Sequence, residues 1–170
     1  ENQLLPLDAK SLKSIAIIGP NADQVQFGDY TWSRNNKDGV TPLQGIKNRV
    51  NKNTAIHYAK GCSLTSLDTS GIAEAVEAAK NSEVAVIFGG SASAALARDY
   101  KSSTCGEGFD LNDLNLTGAQ SQLIREVYRT GTPVILVLVT GKPFVIEWEK
   151  NNLPAILVQW YAGEQAGNSI

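Results

Sequence analysis

Stretches that are apolar almost throughout recur along the chain, and most are rich in β-branched residues. They are residues 14–19, 54–59, 83–89, 133–140 and 155–160. Runs of this length and composition, bounded by turn-forming residues, predict β-strands. The last three runs are almost continuously apolar, which fits strands covered on both faces, as in a parallel sheet, better than an alternating half-exposed sheet.

The segments between these runs carry helical patterns. Residues 71–81 place Ile72, Ala75, Val76 and Ala79 on one face, which predicts an amphipathic helix. Residues 41–50 and 144–151 show weaker patterns of the same kind.

Another helix is predicted further along the chain, where Leu123 and Ile124 begin an apolar face. Ahead of it, Thr117 and Gln120 have the Thr-x-x-Gln form of a capping box, and Gly131 can end the helix.

The alternation of strands and helices predicts the α/β class. We expect a three-layer α/β/α sandwich with a mostly parallel sheet of about five to six strands. The length of residues 1–170 suits a single domain of this kind.

Two long loops interrupt this regular pattern, residues 21–40 after the first predicted strand and residues 90–116 after the third. Loops of this length in a compact domain are usually functional or disordered. In parallel α/β sheets ligands bind beyond the carboxyl ends of the strands, and both loops leave from such ends. These loops are therefore the expected place for a site.

Composition narrows the class of protein. The net charge is −2, the sequence pI is about 5.4, and the charges are spread evenly, which gives no basic face for nucleic acid. No run of about 18 apolar residues occurs, so the sequence predicts no membrane-spanning helix. Methionine is absent, even at position 1, and we expect the sequence to be a piece of a larger protein.

Several common sites lack their residues here. Residues 19–23 (GPNAD) do not form the Gly-x-Gly-x-x-Gly turn of a dinucleotide site, and no Gly-x-Ser-x-Gly elbow occurs. His57, the only histidine, lies within a predicted strand, so a Ser–His or Cys–His mechanism has no candidate base. Cys62 and Cys105 are too few for a disulfide framework and lack metal-ligand spacing, although they can either pair or stay free. No metal or cofactor is indicated.

The second long loop carries the carboxylates Asp99, Glu107, Asp110 and Asp113. Glu107 lies between two glycines, which allow unusual backbone conformations and close approach of another surface. Beside the aromatic Phe109, such a carboxylate can act as a proton donor if partial burial raises its pKa. A solvated turn explains the same residue types, and from composition alone it is the more common explanation.

Residues 105–124 (CGEGFDLNDLNLTGAQSQLI) resemble the acid/base loop and following helix of glycoside hydrolase family 3. Further stretches are similar to other segments of that family in the same order. They are residues 2–7 (NQLLPL), 14–22 (SIAIIGPNA), 28–30 (GDY), 41–46 (TPLQGI), 58–62 (YAKGC), 131–134 (GTPV) and 160–164 (WYAGE). The resemblance therefore covers essentially the whole chain.

This resemblance implies a two-domain enzyme. Family members pair an N-terminal (β/α)8 barrel, which carries an aspartate nucleophile, with an α/β sandwich like this chain. Glu107 matches the general acid/base of members with a Gly-Glu-Gly-aromatic-Asp motif. Members are retaining, exo-acting enzymes, mostly β-glucosidases, with β-xylosidases and others besides. The implied partners are a β-glycoside or oligosaccharide substrate and the chain's own upstream barrel, and the implied location is periplasmic or secreted.

Other candidate residues follow from the same resemblance. Arg98 and Asp99 can contact sugar or the barrel, or can anchor the loop through a salt link. Trp32 can stack on a sugar or lie buried between domains. Asp110 can orient Glu107 or fix the loop. As candidate substrate contacts, Phe109 and Asp110 are ranked below Glu107. Leu111 stands where the family commonly has arginine, so the anchoring of the loop can differ. A non-catalytic carbohydrate-binding or scaffolding sandwich is the alternative function.

Overall fold

A single parallel sheet forms the centre of the computed structural model, which describes residues 4–33, 35–93, 104–108 and 112–170. Its strands are β1 (Ser14–Ile18), β2 (Ala55–Ala59), β3 (Ala85–Gly90), β4 (Val134–Val139) and β5 (Ala155–Val158). Their spatial order is β2-β1-β3-β4-β5, and every neighbouring pair runs parallel. The predicted α/β class is thus confirmed, and each of the five runs coincides with one of these strands to within a few residues at its ends.

The helices fall in the segments where the sequence predicted them. They are α1 (Pro42–Arg49), α2 (Ile72–Lys80), α3 (Gln120–Tyr128) and α4 (Glu147–Asn152), with 3₁₀ turns at Asn36–Asp38 and Gly163–Gln165. Thr41 begins α1 as its N-cap, because its Oγ1 accepts a hydrogen bond from the Gln44 backbone nitrogen at 3.2 Å. In the described part of the chain, every helix is too short or too polar to cross a lipid bilayer.

Two hydrophobic cores lie on opposite faces of the sheet, because successive strand residues point to opposite sides. In β1, Ile15 and Ile17 face α1, whereas Ala16 and Ile18 face the layer of α2, α3 and α4. The inner strands β1, β3 and β4 are covered on both sides, which explains their apolar residues at nearly every position. The edge strands β2 and β5 are only partly buried, so two-sided covering does not extend to them. The aliphatic residues of α3, such as Leu123, are fully buried, and each such side chain stabilises the fold by about 1.5–3 kcal/mol.

The chain reverses its winding direction between β1 and β3. From β1 it moves outward to β2, then crosses back over β1 to form β3 on the other side. Right-handed crossovers in opposite directions put their helices on opposite faces, which agrees with the positions of α1 and α2. The carboxyl ends of β1 and β3 therefore meet at a topological switch point, where such sheets bind ligands.

A glycine lies at the carboxyl end of each of these two strands, where the backbone of a neighbouring strand packs closely against it. Gly19 has φ +113°, and a Cβ there would lie 2.3 Å from the Phe88 carbonyl oxygen. Gly90 has φ +123°, and a Cβ there would lie 2.3 Å from the Val139 carbonyl oxygen. In each case only a residue without a side chain lets the backbone leave the strand against its neighbour.

The predicted capping box ahead of α3 is wrong. Ala119 is the N-cap, no side chain caps the helix, and Gln120 is already its first residue. The buried Gln120 amide bonds to the backbone of Gly90, at the end of β3, and also donates to the carbonyls of Leu64 and Thr117. The Gln120 side chain, which the local pattern predicted as part of a cap, thus forms a tertiary contact with β3. Gly131 follows the end of α3 with φ +80°, as expected for a helix stop.

Candidate functional site

An open cleft of about 450 Å³ lies at the carboxyl edge of the sheet. Loops that follow β1, β3 and β4 and the segment that follows β5 surround it. Its lining residues are Asp29, Ser93, Cys105, Gly106, Glu107, Gly141, Lys142 and Tyr161. The cleft thus combines both loops that the sequence singled out.

The second long loop returns to the sheet beside β3 at Thr104 and Cys105. The Thr104 backbone nitrogen donates to the Ala92 carbonyl at 3.2 Å, and the Ala92 nitrogen donates to Thr104 Oγ1 at 3.0 Å. Ser93 and Cys105 then form an isolated parallel bridge. This short pairing brings residues 104 and 105 to the edge of the cleft, and Glu107 follows two residues later.

Glu107 is exposed and lines the cleft. Gly106 and Gly108 on either side have φ values of +133° and +74°, which are conformations that favour glycine. A Cβ at Gly108 would meet nothing within 4 Å, so the backbone angle, not lack of space, accounts for glycine there. The carboxylate therefore projects from a tight turn on the outer loop face, outside the core of the sandwich.

Asp29, on the loop after β1, contacts the Glu107 turn directly. Its Oδ2 accepts a hydrogen bond from the Glu107 backbone nitrogen at 2.7 Å, and its Oδ1 accepts one from Ser93 Oγ. The next residue, Tyr30, has φ +63°, and Thr31 Oγ1 donates to the carbonyls of Gly28 and Ser33 at 3.0 and 2.9 Å. This loop is thus tied both to itself and to the second loop.

Hydroxyl groups hold the ends of the strands together beneath the cleft. Ser91 Oγ lies 2.7 Å from the Tyr161 hydroxyl and donates to Thr140 Oγ1 at 3.1 Å. The fully buried Asn21 donates through Nδ2 to the carbonyl of Ser91 at 3.2 Å. Burial, together with the neighbouring Cys105 thiol, raises the pKa of Tyr161 well above its usual range, so its phenol stays neutral.

A lysine forms the opposite wall of the cleft. Lys142 Nζ lies 5.4 Å from the centre of the Phe144 ring, a cation–π distance. The loop is braced by Thr140, whose Oγ1 donates to the Lys142 carbonyl at 2.7 Å. At Gly141 a Cβ would lie 2.9 Å from the Tyr161 ring and 3.0 Å from Cys105 Sγ, so a side chain there would crowd the cleft wall.

The predicted site residues have different outcomes. Glu107 lines the cleft, and Trp32 lies on the first loop with 77% of its surface exposed. Arg98, Asp99, Phe109 and Asp110 lie outside the described residues. Cys62 and Cys105 are both free thiols, so the alternative of a disulfide does not hold in this structure.

The sequence reasoning missed Asp29, Ser93, Lys142 and Tyr161 as lining residues. Two of them lay in stretches already noted for their resemblance, 28–30 (GDY) and 160–164 (WYAGE), and that was the available signal. Across the described ranges, no group of three or more His, Cys, Asp and Glu residues is placed to hold a metal ion.

A parallel α/β sandwich with a cleft at its switch point is typical of domains that bind a ligand at the carboxyl edge of the sheet. Comparison with known proteins identifies the family. The family model described as "Glycosyl hydrolase family 3 C-terminal domain" matches residues 1–170. The chain therefore belongs to glycoside hydrolase family 3, as the C-terminal domain found in its β-glucosidases and β-xylosidases.

Individual relatives agree with this family. A β-xylosidase from Formosa agariphila is 40% identical over 176 residues, which cover 100% of this chain and 23% of that protein. A periplasmic β-glucosidase from Salmonella typhimurium is 34% identical, with 100% of this chain and 24% of that protein covered. Among solved structures, a family 3 exo-β-xylosidase in complex with a xylobiose aziridine probe has a TM-score of 0.81 at 28% identity, with 97% and 20% of the two chains covered. The chain thus spans about a quarter or less of the length of these relatives.

Proposed function

We propose that this chain supplies the general acid/base, Glu107, to a retaining, exo-acting β-glycosidase. The observation that carries the proposal is the position of Glu107, exposed on a glycine-flanked turn at the edge of the switch-point cleft. A carboxylate so presented can reach a sugar that lies outside this domain. The partner carboxylate, an aspartate nucleophile, would come from a (β/α)8 barrel upstream in the full-length protein.

The proposed reaction uses Glu107 twice. In the first step its carboxylic acid protonates the glycosidic oxygen while the barrel aspartate attacks the anomeric carbon and expels the leaving group. In the second step the carboxylate of Glu107 takes a proton from water, which attacks the same carbon and releases the sugar with retained configuration. Such a pair of carboxyl groups works at a separation of about 5–5.5 Å, so the turn must bring Glu107 over the barrel.

A terminal β-linked sugar is the proposed substrate, with a β-glucoside as our first choice. The β-xylosidase that is 40% identical to this chain makes a β-xyloside the competing substrate. We further propose a periplasmic or secreted location, in line with the periplasmic β-glucosidase among the relatives. Trp32, on the loop after β1, offers an exposed indole ring, a surface on which a sugar can stack.

The test is made in the full-length protein with Glu107→Ala. The variant should lose most of its kcat/KM on glycosides with poor leaving groups, by about 100-fold or more, because general acid catalysis is lost. Aryl glycosides with very good leaving groups need no proton, so their kcat/KM should change little. Added azide should raise kcat on these substrates and yield a β-glycosyl azide, because azide attacks without a base.

Asp113→Ala is the matched control, since Asp113 is an exposed carboxylate of the same loop whose Oδ1 accepts a hydrogen bond from the Asn115 nitrogen at 2.8 Å. It should leave the leaving-group dependence unchanged. Equal loss of activity on all substrates in Glu107→Ala, without azide rescue, would refute the acid/base role. Comparing p-nitrophenyl β-glucoside with p-nitrophenyl β-xyloside in the unmodified protein decides the substrate.

A further inference from the structure

We propose that Asp29 is the positioning residue of the acid/base turn, an inference that rests on the proposed role of Glu107. One carboxylate joins three points of the site. Asp29 comes from the loop after β1, Ser93 lies three residues beyond the end of β3, and Glu107 lies farther along the second loop. The two hydrogen bonds bridge 64 and 78 residues of sequence.

The two partners of Asp29 differ in how firmly they are held. Ser93 is 1% exposed and pairs with Cys105 at the end of the sheet, so it provides a fixed anchor. The Glu107 peptide, in contrast, lies on an exposed turn between glycines that leave its backbone many conformations. By bonding to both, the Asp29 carboxylate ties the Glu107 turn to the fixed edge of the sheet and restrains its backbone.

The bond to the Glu107 nitrogen is suited to this role. At 2.7 Å it has the length of a charge-assisted hydrogen bond, which is stronger than a bond between neutral groups. It fixes the plane of the Gly106–Glu107 peptide, and that plane sets the direction in which the Glu107 side chain leaves the backbone. Because a misplacement of about 1 Å can cost on the order of 100-fold in rate, this direction matters for proton transfer.

The measurement is kcat/KM of the full-length protein with Asp29→Ala on aryl glycosides of graded leaving-group ability. We expect a loss of about 10- to 100-fold with poor leaving groups and little change with the best ones, because only the former need a positioned acid. Inactivation by a 2-fluoro glycoside with a good leaving group should keep its rate, because it reports the nucleophile without the acid. A general loss of structure would lower every one of these rates.

Two further variants separate the hydrogen bond from the charge and from local folding. Asp29→Asn keeps an oxygen for the Glu107 nitrogen and an amide for Ser93 Oγ, so it should recover most of the rate lost in Asp29→Ala. Asp68→Ala is the matched control, because Asp68 also accepts one backbone nitrogen and one serine hydroxyl, both from Ser70, yet does not line the cleft. It should leave the leaving-group dependence unchanged.

A double-mutant cycle decides whether Asp29 acts through Glu107. In the Glu107→Ala background, adding Asp29→Ala should cost less than twofold, because no acid remains to be positioned. The same loss in both backgrounds, or no loss in either, would overturn the inference. If Glu107→Ala itself shows no leaving-group dependence, the proposed function fails instead, so the two failures are distinguishable.

Discussion

The side-chain amide of Gln120 forms a reciprocal pair of hydrogen bonds with the backbone of Gly90. Gln120 Oε1 accepts from the Gly90 nitrogen at 2.7 Å, and Nε2 donates to the Gly90 carbonyl at 3.0 Å. Gly90 ends β3, where the strand ladder stops, and Gln120 begins α3 with 1% of its surface exposed. This contact therefore anchors the start of α3 to the strand that leads into the second loop.

Replacing Gln120 by leucine should destabilise this region by about 1–3 kcal/mol, because buried backbone groups of Gly90 lose their partners. Hydrogen exchange of peptides that cover β3 and α3, measured by mass spectrometry in the full-length protein, should show correspondingly faster exchange. Gln44→Leu is the control, since Gln44 lies on the exposed face of α1, where its side-chain amide donates to Asn48 Oδ1 at 2.8 Å. Unchanged protection of β3 in Gln120→Leu would show that the pair contributes nothing.

Replacing the glycine after β1 should destabilise the protein much more than replacing the glycine after α3. Gly19→Ala adds a Cβ that would lie 2.3 Å from the Phe88 carbonyl oxygen, so the backbone must shift, and we expect a loss of several kcal/mol or no folded protein. Gly131→Ala has a similarly positive φ of +80°, but nothing lies within 4 Å. It should cost only about 1–2 kcal/mol, from the left-handed backbone conformation.

The yield of soluble protein and the temperature of unfolding measure this difference. Equal effects of the two substitutions would show that the close approach at the end of β1 relaxes easily, and that backbone conformation alone determines the cost.

The sheet could be predicted from sequence because its residues carry the information locally. Strands such as β3 and β4 are covered on both faces, so every position is apolar and the run is visible without any knowledge of its neighbours. The start of α3 could not be predicted in the same way. Gln120 fits a local cap and a tertiary contact equally well, and the second prevails because Gly90 would otherwise leave backbone groups unpaired.

Of the candidate site, Glu107 was predicted through its glycines and its family resemblance, whereas Asp29 was missed. The importance of Asp29 depends on two loops that meet only because the chain reverses direction between β1 and β3. No local pattern reveals which residue of the first loop will face the second. Contacts of this kind, 78 residues apart in sequence, follow from topology.

The two thiols should differ in reactivity. Burial raises the pKa of Cys62 to about 11, whereas Cys105 is partly exposed at the edge of the cleft. A thiol reagent at pH 8 should therefore modify Cys105 and leave Cys62 protected until the protein unfolds. Peptide mass mapping after a short exposure to iodoacetamide measures this, with Cys105→Ser as the control, in which labelling of the native chain should disappear. Labelling of Cys62 at the same rate as Cys105 would contradict the prediction.

The raised pKa of Cys62 also predicts a pH dependence of stability. The unfolded chain loses the thiol proton near the ordinary value of 9.0, and the folded chain holds it until about 11. Folding is therefore favoured by this group below pH 9, and the contribution is lost as the pH rises from 9 through 11. The urea midpoint should fall over that range, and Cys62→Ala should fall less steeply. Equal slopes in the two proteins would show that the thiol does not titrate differently on folding.

The exposed ring of Trp32 should affect the binding of substrates that carry a second sugar. With 77% of its surface exposed on the loop that also carries Asp29, the indole is available either to a sugar or to another domain. If it stacks on a sugar beyond the bond that is cleaved, Trp32→Ala should raise KM for disaccharides several-fold, in line with about 1 kcal/mol for an aromatic contact. The kcat/KM on simple aryl glycosides should change less, because they lack that second sugar. Trp160→Ala is the matched control, since Trp160 is also exposed, at 60%, but lies after β5 and not on the loop that carries Asp29. A lower temperature of unfolding in Trp32→Ala, with KM unchanged, would assign the ring to a contact between domains instead.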